Sequence, residues 1–294
     1  MPSPTVSEFE AHRSHLMAVA FRMLGNRSEA EDAVQEAWLR FAGADDIRDV
    51  RGWLTTVTGR ICLDQLTSAR VRRTSYPGEW LPVFAVDPDA DPALTAERSD
   101  QVGIALLVIL ERLTPEQRVA FVLHDAFGVP FEEVATVLDT TPAAARQHAS
   151  RGRKAAAEGG IRHSAGAAEQ RRVLTAFLVA AQSGDVRTLA AVLAPDVVAI
   201  SDGGGVVRAA LRPIHGADKV GRFFHGLLSR RMDEVLDLTV EPVLVEGDPG
   251  MLVRGRWPDG TRVLTVLTAA VENGRITGLF VQQNPEKVLL GDLG

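Results

Sequence analysis

The hydrophobic pattern of the chain changes its period once, close to residue 197, and this change constrains the fold more than any other feature. Apolar residues recur at helical spacing through residues 6–73, 98–157 and 167–193. From Val197 onward they fall into strand-like runs separated mostly by the turn sequences DGGG, GDPG, PDG and ENG: VVAIS, VVRAALRPI, LDLTVEPVLVE, MLVRGRW, TRVLTVLTAAV and RITGLFVQQ. The pattern predicts helical domains followed by an α+β domain, and 294 residues are enough for each part to bury its own core.

An acidic, proline-rich segment divides the helical part in two. Residues 76–93 read YPGEWLPVFAVDPDADPA and have no helical period, which predicts a linker. Residues 79–100 contain six acidic residues against Arg98 and so account for most of the net charge of −6. Residues 60–73 and 140–163 are by contrast locally basic. A nucleic-acid partner is therefore compatible with this acidic chain, because phosphate contacts depend on local clusters of arginine and lysine.

The sequence contains no pattern typical of a membrane segment, a disulfide, a metal site or a nucleotide-binding loop. Its longest apolar run, Val102–Leu110, is nine residues, whereas a membrane-spanning helix needs about 20. Cys62 is the single cysteine, and His12 and His15 have no evident third ligand. The DGGG sequence is followed by a strand-like run rather than by a helix. We therefore expect a cytoplasmic protein that uses no cofactor and no metal.

A helix with two different faces is predicted over residues 28–41, where Ser28 and Glu31 form the S-x-x-E pattern of a capping box. Its apolar face consists of Ala30, Val34, Ala37, Trp38 and Phe41. Its other face consists of Asp32, Gln35, Glu36 and Leu39. This second face is either a solvated surface or a docking surface for a basic partner helix.

The segment that starts at Val50 also has two sides. Its inward stripe consists of Leu54, Val57, Ile61 and Leu66, and a different side carries Trp53, Thr56, Arg60 and Asp64. A tryptophan beside arginines can stack on an unpaired base while the cations hold phosphates. A core tryptophan fits the same sequence, and the segment alone leaves both interpretations open.

Residues 131–157 follow the pattern of a helix-turn-helix. A short amphipathic helix over Phe131–Leu138 precedes a tight turn, and Thr141 then supplies an N-cap before Pro142. The second helix has an inner stripe of small residues, including Gly152. Its outer face can offer Arg and Gln side chains to base edges. An αα-hairpin with a basic solvent face is the alternative.

Together these blocks resemble bacterial RNA polymerase sigma factors of the extracytoplasmic-function (ECF) group, over nearly the whole chain. The sequence AFRMLGNRSEAEDAVQEAWLRF resembles the region 2 helices that dock on the polymerase clamp. RGWLTTVTGRICLDQLTSARVRR resembles the part that melts and reads the minus-ten promoter element. LERLTPEQRVAFVLHDAFGVPFEEVATVLDTTPAAARQHASRGRK resembles region 4, which reads the minus-thirty-five element. The resemblance implies that the partners are promoter DNA and core RNA polymerase, through its clamp and flap.

The resemblance also implies roles for individual residues. The docking face on the clamp would comprise Asp32, Gln35, Glu36 and Leu39. The minus-ten group would comprise Trp53, Thr56, Arg60, Arg70, Arg72 and Arg73. The recognition face on the minus-thirty-five duplex would comprise Arg146, Gln147, Ser150, Arg151 and Lys154.

Three further motifs resemble the SigJ-like branch of this group, in which a SnoaL-like domain of the NTF2 fold is fused at the carboxyl terminus. They are WLP in the linker, DGGG after the first strand, and NPEK near the end: Trp80, Leu81, Pro82; Asp202, Gly203, Gly204, Gly205; Asn284, Pro285, Lys287. The resemblance implies that the fused domain regulates the sigma domains in cis, in place of a separate anti-sigma protein. The chain departs from the branch in lacking an acid-proline pair after WLP, and in carrying Gly152 in the recognition helix.

We accordingly expect a multidomain protein with two all-α sigma domains, a region 2 bundle and a region 4 helix-turn-helix, followed by an α+β NTF2-like cone domain. The expected boundaries are 1–75 for region 2, 76–97 for the linker, 98–162 for region 4 and 163–294 for the SnoaL-like domain. By the same resemblance, the linker acids Asp87, Asp89 and Asp91 are hypothesised to pass through the cation-lined RNA channel of the polymerase.

Two other functions remain open from the sequence. One is a ligand-responsive helix-turn-helix regulator that binds an operator without polymerase. The other is a bifunctional protein whose NTF2-like pocket converts a small molecule, with Asp202, His215 and His225 as the ionisable candidates. An isomerase of this fold also needs an oxyanion donor, and the only tyrosine, Tyr76, lies in the linker. We expect no enzyme activity, and a small ligand in the pocket is an open possibility.

Overall fold

The computed structural model describes residues 5–73, 75–87, 103–158, 160–230 and 234–291. The chain divides into two compact units, each assembled from two separate stretches of sequence. The helical unit consists of Met1–Ser75 and Leu110–Glu158, and the sheet unit of Tyr76–Ile109 and Gly159–Gly294. The linker acids Asp89 and Asp91 lie outside the described residues.

The helices of the helical unit begin and end where local capping chemistry permits. They are α1 (Val6–Leu24), α2 (Arg27–Ala42), α3 (Val50–Arg73), the end of α4 (Ile104–Glu111), α5 (Pro115–Phe121), α6 (Phe131–Val137) and α7 (Pro142–Glu158). A π-helical turn, Val122–Ala126, extends α5. The predicted capping box at Ser28 is wrong, because the N-cap of α2 is Asn26, whose side chain accepts from the amides of Ser28 and Glu29.

The core of the helical unit joins the first three helices to the later ones. Phe41, Leu16 and Leu54 are almost fully buried, as the apolar stripes predict. Helix α3 packs closely on the α5–α6 region at Gly59, where a Cβ atom would lie 3.1 Å from Val137 and 3.5 Å from Leu123. A larger residue at this position would force the two segments apart.

The predicted helix-turn-helix is present as α6 and α7. Asp139 in the turn has a φ of 49°, and the Thr141 hydroxyl accepts from the amide of Ala144 at 3.2 Å, as expected of an N-cap. Gly152 faces inward on α7, where a Cβ atom would lie 3.1 Å from the carbonyl oxygen of Gln117. The glycine in this helix therefore permits close packing of α7 on α5.

The sheet unit contains an eight-stranded mixed sheet with helices packed on it. Its strands are β1 (Phe84–Asp87), β2 (Leu193–Asp202), β3 (Ile214–His215), β4 (Leu236–Val245), β5 (Asp248–Arg256), β6 (Arg262–Glu272), β7 (Arg275–Gln282) and β8 (Val288–Leu290). They are arranged in the order β3-β2-β7-β6-β5-β4-β1-β8. The helices are α8 (Ala167–Ser183), α9 (Val186–Val192) and α10 (Ala217–Arg230).

The central strands are joined by tight hairpins. Glu246 and Gly247 connect β4 to β5 with φ values of 50° and 85°, and Asn273 and Gly274 connect β6 to β7 with φ values of 51° and 72°. Positive φ at both turn residues is the geometry of a type I′ turn, whose twist matches that of paired strands. These turns fix the antiparallel register of β4 with β5 and of β6 with β7.

The core of the sheet unit lies between the sheet and α8 and α10. Phe177 of α8 and Phe224 of α10 stack edge to face at 5.2 Å between ring centroids. Leu279 and Ala269 of the sheet belong to the same buried cluster. Helices α8 and α10 therefore pack on the same face of the sheet.

The sheet unit differs from the sequence predictions at three places. The strand predicted over VVRAALRPI is wrong for residues 206–213, since only Ile214–His215 pairs as β3. Helix α10 was not predicted. The linker, for which no strand was predicted, contributes β1, which pairs antiparallel with β4 and parallel with β8.

Candidate functional site

The docking face on α2 is largely exposed. Asp32, Gln35 and Leu39 are exposed, and 65 % of the Leu39 surface is accessible to solvent. Glu36 is half-buried and forms an ion pair with Arg40 one turn later. An apolar side chain exposed to this extent between acidic neighbours is available for a partner surface.

The minus-ten group does not form one free surface. Trp53 is half-buried with its ring centroid 5.9 Å from that of Phe41, and Thr56 is also half-buried. The Arg60 guanidinium donates to the carbonyl oxygen of Thr136, at 2.8 Å from Nη2 and 3.3 Å from Nε. Arg70 is exposed, and the side chain of Arg72 lies outside the described residues. The structure therefore places these residues on one helix but binds Arg60 to α6.

Arg73, the last member of the minus-ten group, belongs to a largely buried ion cluster. It pairs with Glu111, whose other carboxylate oxygen accepts from Arg118 at 2.8 Å. The side chains of Glu111 and Arg118 are 6 % and 2 % exposed. Breaking such a cluster costs several kcal/mol, because the charges left behind stay desolvated. The cluster joins the end of α3 to α4 and α5 within the helical unit.

The recognition face of α7 is exposed to solvent. Gln147, Ser150 and Arg151 are exposed side chains. Arg146 and Lys154 are exposed as well and form surface ion pairs with Glu132 and Glu158 at 3.3 Å and 3.6 Å. Exposed pairs of this kind contribute at most about 1 kcal/mol, so they do not prevent contact with a phosphate or a base.

The three motifs of the linker and the fused domain meet in the sheet unit, at a cluster that we call the clasp: Tyr76, Trp80, Asp202, Asn284 and Lys287. Lys287 and Asp202 form an ion pair at 2.7 Å, with side chains 7 % and 0 % exposed. The Asp202 carboxylate also accepts from the Tyr76 hydroxyl at 2.5 Å. The linker thereby supplies two walls of a buried charge site, since the Lys287 ammonium lies 3.0 Å from the Trp80 ring centroid and 4.4 Å from that of Tyr76.

Backbone groups complete the clasp. Asp202 accepts from the amides of Leu81 and Gly204, each at 3.0 Å, and Lys287 donates to the carbonyl oxygen of Leu81 at 3.0 Å. The Asn284 amide donates to the Tyr76 hydroxyl at 3.0 Å. Burial, together with the hydrogen bond to Asp202, raises the pKa of Tyr76 above its ordinary value. Asp202 is therefore saturated by donors, which leaves it no free lone pair for catalysis.

Further along the linker, backbone and side-chain contacts continue the attachment. The carbonyl oxygen of Pro82 accepts from the Gln282 side chain at 2.9 Å. Strand β1 follows at once, and the amide of Ile104, at the start of α4, donates to Asp248 at 2.8 Å. The described linker residues thus belong structurally to the sheet unit.

Family models match three parts of the chain. Residues 9–72 match Sigma-70 region 2, residues 104–155 match Sigma-70 region 4, and residues 174–279 match the SnoaL-like domain. The chain is 43 % identical to the ECF RNA polymerase sigma factor SigJ of Mycobacterium tuberculosis H37Rv, over 96 % of this chain and 92 % of that protein. This chain belongs to the ECF sigma factor family.

Two other comparisons agree with the assignment of this chain to the ECF sigma factor family. A probable ECF sigma factor SigI of Mycobacterium tuberculosis CDC 1551 is 38 % identical over 99 % of this chain and 98 % of that protein. The crystal structure of Mycobacterium tuberculosis SigJ superposes with a TM-score of 0.71 and 40 % identity, over 96 % of this chain and 98 % of that one. The predicted fold class, two helical sigma domains followed by an α+β SnoaL-like domain, is confirmed.

Sequence reasoning missed several participants of these sites in this sigma factor. Tyr76 lies in the linker, and nothing in the sequence around it signals a partner 126 residues away. The carbonyl oxygen of Thr136 that binds Arg60 carries no side-chain signature either. In the described part of the chain, no helix is long and apolar enough to span a membrane, and no group of three His, Cys, Asp or Glu side chains could hold a metal.

Proposed function

We propose that this sigma factor directs core RNA polymerase to specific promoters and that its SnoaL-like domain restrains it in cis by holding the linker. The single observation that carries the proposal is the attachment of residues 76–87 to the sheet unit through the clasp and β1. The resemblance to ECF sigma factors implies that the linker passes through the polymerase. A linker held in the sheet unit has to be released before it can do so.

The contacts within the helical unit support the same restraint. Arg60 and Arg73 are expected to meet promoter DNA, yet Arg60 binds the Thr136 carbonyl and Arg73 pairs with Glu111. Arg73 has to leave its buried partner before it contacts phosphates, and the exposed Arg60 already uses two of its three guanidinium nitrogens in the contact with Thr136. The exposed docking face and recognition face need no such rearrangement. The described form is therefore proposed to be a resting form, in which only part of the promoter-binding surface is available.

An enzymatic role for the sheet unit has less support. Asp202 is saturated by the clasp, and its partner Tyr76 also accepts from Asn284. His225 contacts the carbonyl oxygen of Ala181 at 3.3 Å. General acid-base catalysis needs a carboxylate or imidazole that can reach a substrate. We propose that the SnoaL-like domain regulates and does not catalyse.

Binding to purified core RNA polymerase tests the restraint with the full chain. Trp80→Ala removes a ring over the Lys287 ammonium from the linker side and leaves the SnoaL-like domain unchanged in sequence. A desolvated cation–π contact contributes about 1 to 2 kcal/mol to the state in which the linker is attached. Its loss should therefore lower the ratio of attached to released linker about 5- to 30-fold. We expect the variant to bind core polymerase correspondingly more tightly, measured by fluorescence anisotropy of labelled protein.

Trp257→Ala is the matched control, because Trp257 is half-buried in the same unit but lies outside the linker. It should bind core polymerase like the parent chain. Equal affinity of the Trp80 variant and this control would contradict the restraint.

Run-off transcription on fragmented genomic DNA tests the first part of the proposal, since initiation sites should appear with chain and core together. Tight operator binding without core, and no new initiation sites with it, would instead favour the helix-turn-helix regulator.

A further inference from the structure

The sheet unit contains a cavity that takes no part in the clasp. It has a volume of about 520 Å³, which falls within the ~300–1,000 Å³ of small-molecule sites. The ends of β2 and β7 contribute Ser201 and Val281, and α10 contributes Phe223, Gly226 and Leu227. Residues 208–210, which follow the DGGG turn, form another wall. The cavity therefore lies against a segment that continues directly into the clasp residue Asp202.

The apolar wall of the cavity is unusually open for a helix that packs on a core. Phe224 is 3 % exposed, whereas its neighbour Phe223, which lines the cavity, is 36 % exposed. A Cβ atom added to Gly226 would meet no atom within 4 Å. The helix thus presents an aromatic ring beside vacant space, which is the surface that an apolar ligand body covers.

Among the described residues that line the cavity, Arg208 carries the charge. Arg208 is exposed and, among the described residues, forms no hydrogen bond or ion pair. Gln283 lines the cavity as well and donates through its amide to Thr265 at 3.3 Å, which leaves its carbonyl oxygen open. None of the described residues that line the cavity is acidic. A guanidinium without a counter-ion beside an apolar wall favours a ligand with an anionic head and an apolar body.

The wall made by residues 208–210 is hydrogen-bonded to the sheet, and the residues on either side of it contact the linker. Ser201 accepts from the Ala210 amide at 3.0 Å. On one side of the wall, a Cβ atom at Gly205 would lie 2.5 Å from Pro77 Cγ. On the other side, a Cβ atom at Gly78 would lie 3.3 Å from the Leu211 side chain. Displacement of this wall is therefore transmitted to the linker at two points.

We propose that this cavity binds a small amphipathic anion, a carboxylate or sulfonate on an apolar body, and that occupancy shifts the wall and weakens the hold of the clasp on the linker. The binding step is independent of polymerase. The effect on the linker rests on the function proposed above.

Fluorescence titration of the full chain with anilinonaphthalene sulfonate tests the binding step. Arg208→Gln should weaken the affinity at least about tenfold, since a charge-assisted contact is lost. Arg212→Gln is the control, because Arg212 is exposed in the same loop but does not line the cavity. Gly226→Leu, which fills the cavity, should abolish binding. Decanoate should displace the probe, and decanol should do so much less effectively.

Equal affinities of the Arg208 and Arg212 variants would overturn the proposal, as would displacement by decanol as effective as by decanoate. Melting curves report whether Gly226→Leu folds, and if it does not, the other two measurements decide. Hydrogen exchange then tests the coupling: decanoate should speed exchange of residues 76–87 in the parent chain but not in Arg208→Gln. Unchanged exchange with bound decanoate would overturn the coupling alone. Tighter core binding by Trp80→Ala would stand in either case, so the two proposals fail separately.

Discussion

The buried ion pair of the clasp makes a quantitative prediction about the linker. Lys287→Met keeps the length of the side chain and removes the ammonium that contacts Asp202, the Leu81 carbonyl and the Trp80 ring. Asp202 keeps three donors, the Tyr76 hydroxyl and two backbone amides, but loses its counter-ion. Removal of one partner of a buried pair costs about 3 to 5 kcal/mol. We expect the free energy of opening of residues 76–87, measured by hydrogen exchange, to fall by that amount.

A double-mutant cycle separates the pair from its surroundings. Asp202→Asn with Lys287→Met leaves no charge in the clasp, so the combined loss should be smaller than the sum of the single losses by about 2 kcal/mol. Lys219→Met is the control, because Lys219 is an exposed lysine on α10 in the same unit. The reasoning is refuted if Lys287→Met costs less than about 1 kcal/mol, a value typical of surface pairs, or if the two single losses simply add.

Two further predictions concern other parts of the chain. Leu39→Ala should change the free energy of unfolding by less than about 0.5 kcal/mol, since Leu39 is exposed. It should nevertheless weaken binding to core polymerase severalfold, whereas Val6→Ala, at another exposed position, should not. Equal binding of the two variants to core polymerase would refute the role of the docking face. Burial raises the pKa of Asp248 above its ordinary value of 3.8, although the Ile104 amide and His163 oppose the shift. The folded chain thus retains a proton that the unfolded chain releases, so unfolding free energy falls as the pH rises above about 3.8. Asp248→Asn should remove that slope and stabilise the sheet unit at neutral pH, and urea titrations that show the same slope in both proteins would refute it.

The helical part was largely predictable because its signals are local. The stripe of Phe41 and its neighbours and the N-cap at Thr141 are contained within a few turns of helix, and both predictions agree with the structure. The same locality explains the error at Ser28, where Asn26 competes as a cap two residues earlier. Short-range patterns fix the existence of an element better than its first residue.

The clasp was predictable only in part. The family resemblance points to WLP, DGGG and NPEK, and the structure brings members of all three together. Tyr76 could not be predicted, because its partner Asn284 is 208 residues away and neither residue lies in a periodic element. Strand β1 could not be predicted for a similar reason. Its four residues lie between proline- and aspartate-rich stretches and pair with strands that follow much later in the chain. Pairing partners of this kind are set by tertiary structure and not by the segment itself.

The position of β1 has a consequence for the released state. Strand β8 lies at the sheet margin and its one neighbour there is β1, which in turn separates it from β4. Withdrawal of the linker would deprive β8 of its ladder and expose the main-chain groups of β4 along an open edge, a surface prone to recruit foreign strands. Activation by this route would therefore yield a protein that aggregates unless it binds the polymerase quickly or the linker pairs with the sheet again.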